Sequence, residues 1–134
     1  LGLASCSKYE DGGLMKEAEQ NLQRQWTVSD YHNNDPATSQ DFPFTNYTEE
    51  FMNDGVFTRT FTDDRGISVT EIGSWELDPQ KTGVYMIPQD GLSMAGMGIY
   101  GANYYRKILS LTSDEFKYSF VNDSIIHTFT LSAN

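Results

Sequence analysis

The sequence predicts an all-β fold: an antiparallel up-and-down barrel of about eight strands behind one short helix. Three observations predict it. From Trp26 onward the chain consists of short runs rich in Thr, Tyr, Phe, Val and Ile, separated by turn residues. Most of these runs are only a few residues apart, so each pairs most simply with the next. No helical pattern lies between any two of them, as a parallel sheet would need. A meander of this size removes its exposed edges by closing on itself.

The 134 residues suffice for one domain. A chain of that length hides roughly two thirds of its unfolded surface and needs no covalent staples. The single cysteine excludes an internal disulfide framework. Nineteen acidic residues against nine basic ones leave a net charge of −10. Such a chain is repelled by phosphate backbones, and its one adjacent basic pair is Arg106-Lys107, so nucleic acid is not an expected partner. No apolar run approaches the ~20 residues of a membrane-spanning helix.

The elements follow in order. Residues 1–13 read as a leader remnant and tether, and residues 14–134 as the barrel domain. Leu14 to Gln25 is the helical stretch: Leu14, Ala18 and Leu22 recur at four-residue spacing and Met15 widens the stripe. Glu17 and Glu19 near its start and Arg24 near its end suit the helix dipole. Strands are expected near 26–32, 46–52, 56–62, 67–77, 83–88, 103–112, 115–121 and 124–132. Two loops are longer. Asn33 to Thr45 carries Phe42-Pro43-Phe44. Asp90 to Ala102 interleaves Gly91, Gly96, Gly98 and Gly101 with Met94, Met97, Ile99 and Tyr100. Glycine makes that backbone adaptable and methionine its surface. The segment reads as a lip over a pocket mouth, an apolar plug, or an oligomer contact.

The turn at Asn53-Asp54-Gly55 sets a register. A three-residue loop with Gly55 left-handed pairs Phe51 with Phe57, Glu49 with Arg59 and Tyr47 with Phe61. A two-residue loop would pair Met52 with Phe57 and disperse the aromatics. The first register gathers four aromatics and an opposite-charge pair on one face, so it is preferred. It turns Glu49 and Arg59 inward, where Arg59 meets either the anionic group of a ligand or Glu49 itself. Trp75 and Leu77 share a face, with Glu71 unless Gly73 carries a bulge. Ile125, His127, Phe129 and Leu131 alternate with Ile126, Thr128 and Thr130, which points His127 inward as a hydrogen-bonded core residue. Trp26 and Trp75 are expected as buried anchors.

Catalytic signals are thin, and no enzyme is expected. Gly91-Leu92-Ser93-Met94-Ala95 loosely resembles a nucleophile elbow but lacks the strand-turn-helix around it. With His32 and His127 the only histidines, no zinc spacing exists, and Asp63-Asp64 lacks a calcium-loop pattern. No cofactor is implied.

Leu3-Ala4-Ser5-Cys6 resembles a lipobox, the cleavage site of bacterial lipoprotein signal peptides: an aliphatic residue, two small ones, then the cysteine that receives the lipid. Ser7 to Gly13 follows as a charged, flexible spacer. The resemblance implies a membrane anchor through Cys6. The chain also carries Leu22-Gln23-Arg24-Gln25-Trp26, then Phe51-x-x-Asp54-Gly55-x-Phe57 and Gly73-Ser74-Trp75-Glu76-Leu77. Ile108-Leu109-Ser110-Leu111-Thr112 and Phe116-Lys117-Tyr118 come after. In this order and spacing the series resembles the lipocalin-like lipoproteins of Bacteroidetes. It departs at Arg24, where lipocalins place a glycine two residues before the tryptophan. Asp123-Ser124-Ile125 resembles the short O-glycosylation motif of exported proteins from the same bacteria.

The resemblance implies an eight-stranded barrel, lipid-anchored at the outer membrane or cell surface of a Gram-negative bacterium. The expected partner is a small apolar or amphipathic ligand, lined by Arg59, Glu49, Tyr47, Phe57, Phe61 and Trp75, with Met94, Met97 and Tyr100 above. The alternative is a surface interaction or structural lipoprotein whose barrel is filled by its own side chains. The sequence leaves the oligomeric state open.

Overall fold

The computed structural model describes residues 13–37, 40–42, 44–63, 65–89, 104–122 and 124–134. Helix α1 spans Gly13–Leu22, and eight strands follow: β1 Gln25–Asn33, β2 Thr45–Phe51, β3 Val56–Thr62, β4 Ser68–Leu77, β5 Gly83–Pro88, β6 Tyr105–Leu111, β7 Glu115–Asn122 and β8 Ile125–Ala133. Each strand runs antiparallel to the next, and β1 pairs with β8 to close the barrel. Every expected strand is present, its ends within two residues of those read from the sequence. The helix stops at Leu22, three residues short of its pattern. There the Arg24 N–H turns back to the Leu22 carbonyl, and the Trp26 indole N–H donates to the same oxygen at 3.0 Å. The chain leaves the helix early so that Trp26 can enter the barrel floor.

The β2–β3 hairpin has the expected register over Glu49↔Arg59 and Phe51↔Phe57, with Gly55 left-handed at φ 83°. The expected pairing of Tyr47 with Phe61 is corrected: the ladder slips between Thr45 and Thr48, where Asn46 takes φ 54°. Asparagine is among the few side chains that tolerate this conformation. Tyr47 still points inward, its ring stacked on Phe61 at 6.0 Å. Two further irregularities, between Val28 and Asp30 and between Ile108 and Ser110, shift the side-chain alternation of β1 and β6. The ladder passes through Gly73 without a bulge, so Glu71, Trp75 and Leu77 share one face. A Cβ on Gly73 would lie 2.2 Å from the Ile87 carbonyl oxygen and 2.6 Å from the Phe57 ring. Glycine there lets the Phe57 ring lie against β4.

The topology gives the barrel two unlike ends. One gathers α1, the turns at 52–55, 78–82 and 112–114, and the chain's last residues. The other gathers the turns at 63–67 and 123–124 and the connections 34–44 and 89–104. The first end is floored by side chains: Leu22, Trp26, Phe51, Phe57, Phe116 and Leu131 are all 1 % exposed or less. Trp26 packs against Phe116 at 5.6 Å and Phe51 against Trp75 at 5.7 Å, while the Trp75 indole N–H donates to the Met52 carbonyl. Arg24 lies 5.7 Å from the Trp26 ring and donates to the Ser113 carbonyl, fastening the β6–β7 turn beneath the floor.

Two neighbouring strand pairs are joined only briefly. Among the described residues β1–β2 and β5–β6 each have three paired positions and β6–β7 four, against seven for β3–β4 and β1–β8 and eight for β7–β8. The two long connections join these same strands. From the first of them Phe42 packs on Tyr31, Tyr47 and Phe129, and Phe44 packs on Phe61. Cys6, and the second connection's Met94, Met97 and Tyr100, lie outside the described residues.

Candidate binding site inside the barrel

Above the floor, a polar belt crosses the aromatic interior. Glu49 on β2 is wholly buried, and Arg59 on β3 is 1 % exposed. The Arg59 Nε lies 3.6 Å from Glu49 Oε2, and its Nη1 donates to Glu71 Oε1 on β4 at 3.1 Å. Two hydroxyls complete the belt: Tyr47 donates to Glu49 Oε2 at 2.6 Å, and Tyr118 on β7 donates to the same oxygen at 3.0 Å. Glu49 Oε1 has no hydrogen-bond partner among the described residues. Burying Glu49 and Arg59 is costly, and mutual pairing, the half-buried Glu71 and the two hydroxyl donors offset that cost. Of the two neighbours the sequence offered Arg59, Glu49 is the one in place, and Glu71 joins it.

The residues nominated from sequence separate into two levels. Phe57 and Trp75 belong to the floor, with Phe51 beside them. Tyr47 and Phe61 stand on the side of the belt away from the floor, among Phe42, Phe44 and Phe129. All four are buried.

Toward the end away from the floor a second polar group occupies the opposite wall, and the sequence pattern gave it no role in the site beyond turning His127 inward. Arg106 on β6 is 2 % exposed, with its guanidinium 3.9 Å from the centre of the Phe120 ring and 5.9 Å from that of Tyr118. Phe120 stacks on His127 at 5.2 Å, and His127 stacks in turn on Tyr31 at 5.9 Å. The Tyr31 hydroxyl lies 2.8 Å from His127 Nδ1 and accepts from Asn33 Nδ2 at 3.0 Å. In the sequence Arg106 alternates with Ile108, and Lys107 with Leu109. Each face thus carries one charge and one aliphatic residue, and the pattern alone does not choose between them.

Burial, with the Arg106 charge adding to it, holds the His127 imidazole below its ordinary pKa of 6.5. Burial raises that of Tyr31, while the Asn33 hydrogen bond acts against the rise. The groups against the imidazole are Tyr31 from β1, Phe120 from β7 and Arg106 from β6. The unfolded chain therefore takes up a proton on this histidine before the folded barrel does. The stability it contributes is complete above pH 6.5 and is lost as the pH falls from there toward the folded value. Urea titrations between pH 7 and 5 are expected to show that decline, and His127→Phe is expected to flatten it. An identical slope in the variant would contradict the assignment. Asp63 and Asp78 act in a lower window. Asp63 is held below the carboxylate range by the Arg65 side chain and by N–H groups of Ile67 and Arg65. Burial opposes ionisation of Asp78, but donors from Tyr105, Thr82 and Gly83 prevail and hold it below the usual value of 3.8. Their contributions disappear only as the pH drops beneath that value.

With this geometry in view, the solved structures supply a comparison. A lipocalin-like protein from Bacteroides uniformis superposes with a TM-score of 0.64 at 12 % identity, over 85 % of this chain and 99 % of that one. The fold is lipocalin-like. A DUF4847 family protein from Bacteroides vulgatus gives a TM-score of 0.56 at 14 % identity, over 87 % of this chain and 96 % of the other. Japanin from Rhipicephalus appendiculatus, solved bound to cholesterol, gives 0.54 at 13 % identity, over 83 % and 74 %. No family model and no curated protein matches the sequence. At these identities the shared feature is the lipocalin-like fold itself.

Proposed function

We propose that this protein is a non-enzymatic binding protein that holds a small apolar or amphipathic ligand in the half of its lipocalin-like barrel away from the floor. One observation carries the reading. Above a floor sealed by side chains, the aromatic wall contains a buried carboxylate oxygen, Glu49 Oε1, that has no hydrogen-bond partner among the described residues. Polar atoms inside a protein normally find partners, and an interior serving only as filler would be better built without them. Japanin, bound to cholesterol, supports the idea that a barrel of this shape can hold such a ligand. In this reading the belt of Glu49, Arg59 and Glu71 forms the lower limit of the ligand space. Tyr47 and Phe61 line its side, Phe57 and Trp75 underlie it, and Met94, Met97 and Tyr100 complete the proposed set of ligand contacts. Native mass spectrometry of protein purified from its own host is expected to show a retained small molecule. Protein that carries none, and that gives no binding signal with any acyl-chain compound, would overturn the reading.

A second reading, a surface interaction protein with a filled barrel, draws on the continuity of the aromatic packing. Tyr118 stacks on Phe129 at 5.3 Å, and Phe129 meets Tyr31 and Phe42 edge-on and Phe120 at a tilt. The same mass measurement separates the two.

The membrane anchor belongs to the proposal as well. Leu3-Ala4-Ser5-Cys6 supports lipid attachment at Cys6, with residence at the outer membrane or cell surface of a Gram-negative bacterium. Precursor expressed in such a host is expected to partition into detergent, and Cys6→Ala to move it to the aqueous phase. A variant that still partitions would end that part of the proposal.

A further inference from the structure

His127 is fixed on one side of its ring and has a donor to spare on the other. Asn33 Oδ1 accepts the Asp35 backbone N–H at 2.9 Å and the Gln40 side-chain amide at 2.8 Å, which identifies Nδ2 as the end that faces Tyr31. That nitrogen donates to the Tyr31 hydroxyl at 3.0 Å. A phenol carries one proton, so with Asn33 donating to its oxygen the Tyr31 proton is directed at His127 Nδ1, 2.8 Å away. Nδ1 is therefore the acceptor of a neutral ring, and Nε2 carries the hydrogen. No acceptor for that Nε2–H is found among the described residues, although His127 is only 3 % exposed.

The surroundings select what the acceptor should be. The imidazole is held in a column between Tyr31 and Phe120, at interplanar angles of 20° and 21°, so it cannot swing to seek another partner. The next group in the column is the Arg106 guanidinium over Phe120. Its charge reaches His127, where it adds to burial in keeping the ring neutral. A neutral donor in a positive field inside an apolar wall suits an anionic oxygen, and it repels an ammonium.

We infer that the ligand of this barrel is an apolar chain ending in a carboxylate, and that His127 Nε2–H is the hydrogen-bond donor that recognises that end. The inference deepens the binding reading above and depends on it. It also places the anion-recognising side of the interior on β6, β7 and β8. Arg59, on the other wall, already faces two carboxylates.

The test is calorimetric titration at pH 7.5 with dodecanoate, dodecanol and dodecylamine, each below its micellar concentration. The proteins are wild type, His127→Phe and His127→Gln. The phenylalanine keeps a ring in the column and removes the donor; the glutamine amide keeps a donor near the Nε2 position. Wild type is expected to bind dodecanoate about tenfold more tightly than dodecanol, and dodecylamine most weakly. His127→Phe is expected to lose about tenfold in dodecanoate affinity, and His127→Gln less than about threefold. Equal affinities for dodecanoate and dodecylamine, or a His127→Phe variant that binds dodecanoate like wild type, would overturn the assignment while leaving a ligand-binding barrel. No heat from any of the three with wild type would overturn the binding reading, and this inference with it. Should His127→Phe fail to fold, the head-group series in wild type and the glutamine variant still decide.

Discussion

Arg59→Met is expected to lower the unfolding free energy by about 3–5 kcal/mol in urea titration at pH 7. The reason is the company this side chain keeps. Its removal leaves Glu49, wholly buried, and Glu71, half-buried, facing each other without the cation that both of them meet. The two tyrosine hydroxyls on Glu49 Oε2 soften that charge but cannot neutralise it. The cost therefore comes from two stranded carboxylates more than from the lost guanidinium. Replacing all three ionisable groups at once, as Glu49→Gln, Arg59→Met and Glu71→Gln, should restore most of the loss. A loss below 1 kcal/mol for Arg59→Met alone would show that the belt is not charged as described.

Trp26→Ala is expected to cost about 3–5 kcal/mol by the same measurement. Trp26 is 0 % exposed, packs on Phe116, and lies beneath the Arg24 guanidinium. Its indole N–H bonds the last carbonyl of α1, so the substitution removes a floor plate and detaches the helix end together. Trp26→Phe separates the two roles. It keeps most of the apolar contact and is expected to lose only about 1–2 kcal/mol. An alanine variant within 1 kcal/mol of wild type would contradict the placement of Trp26 in the floor.

How much of this was legible in the sequence depends on how local each determinant is. The Asp54-Gly55 turn fixes its own register, and through it the inward positions of Phe51, Phe57, Glu49 and Arg59. Parity carries the same information along β8 to His127. It fails wherever the strand takes up an extra residue, and nothing in Ser29, Asn46 or Leu109 announces that. Each irregularity is set by how neighbouring strands must twist to close the barrel, which is a property of the whole wall. Arg106 stayed hidden for a related reason: its burial depends on a stacking partner, Phe120, contributed by another strand. The folding of Phe42 and Phe44 onto Tyr31, Tyr47 and Phe61 is likewise decided across distant segments. The helix was read three residues too long because periodicity does not register the pull of the Trp26 indole on the Leu22 carbonyl.

The two short ladders have a mechanical consequence. They lie four strands apart, so they divide the cylinder into two half-shells, β2 to β5 and β6 through β8 to β1. At the β1–β2 seam the pairing among the described residues covers only Gln25 to Thr27, at the floor end, while at the β5–β6 seam the Met86 N–H on the Tyr104 carbonyl carries the pairing beyond Tyr85. Across the hollow, the Tyr118 hydroxyl reaches from one half to Glu49 on the other. Such a vessel has one lightly stitched seam, between β1 and β2: it can part there above the floor while the base keeps its stitching. At that seam side chains take the place of rungs, Phe42 lying on Tyr31 of β1 and on Tyr47 of β2. Admitting a guest larger than the resting bore would leave every long ladder intact.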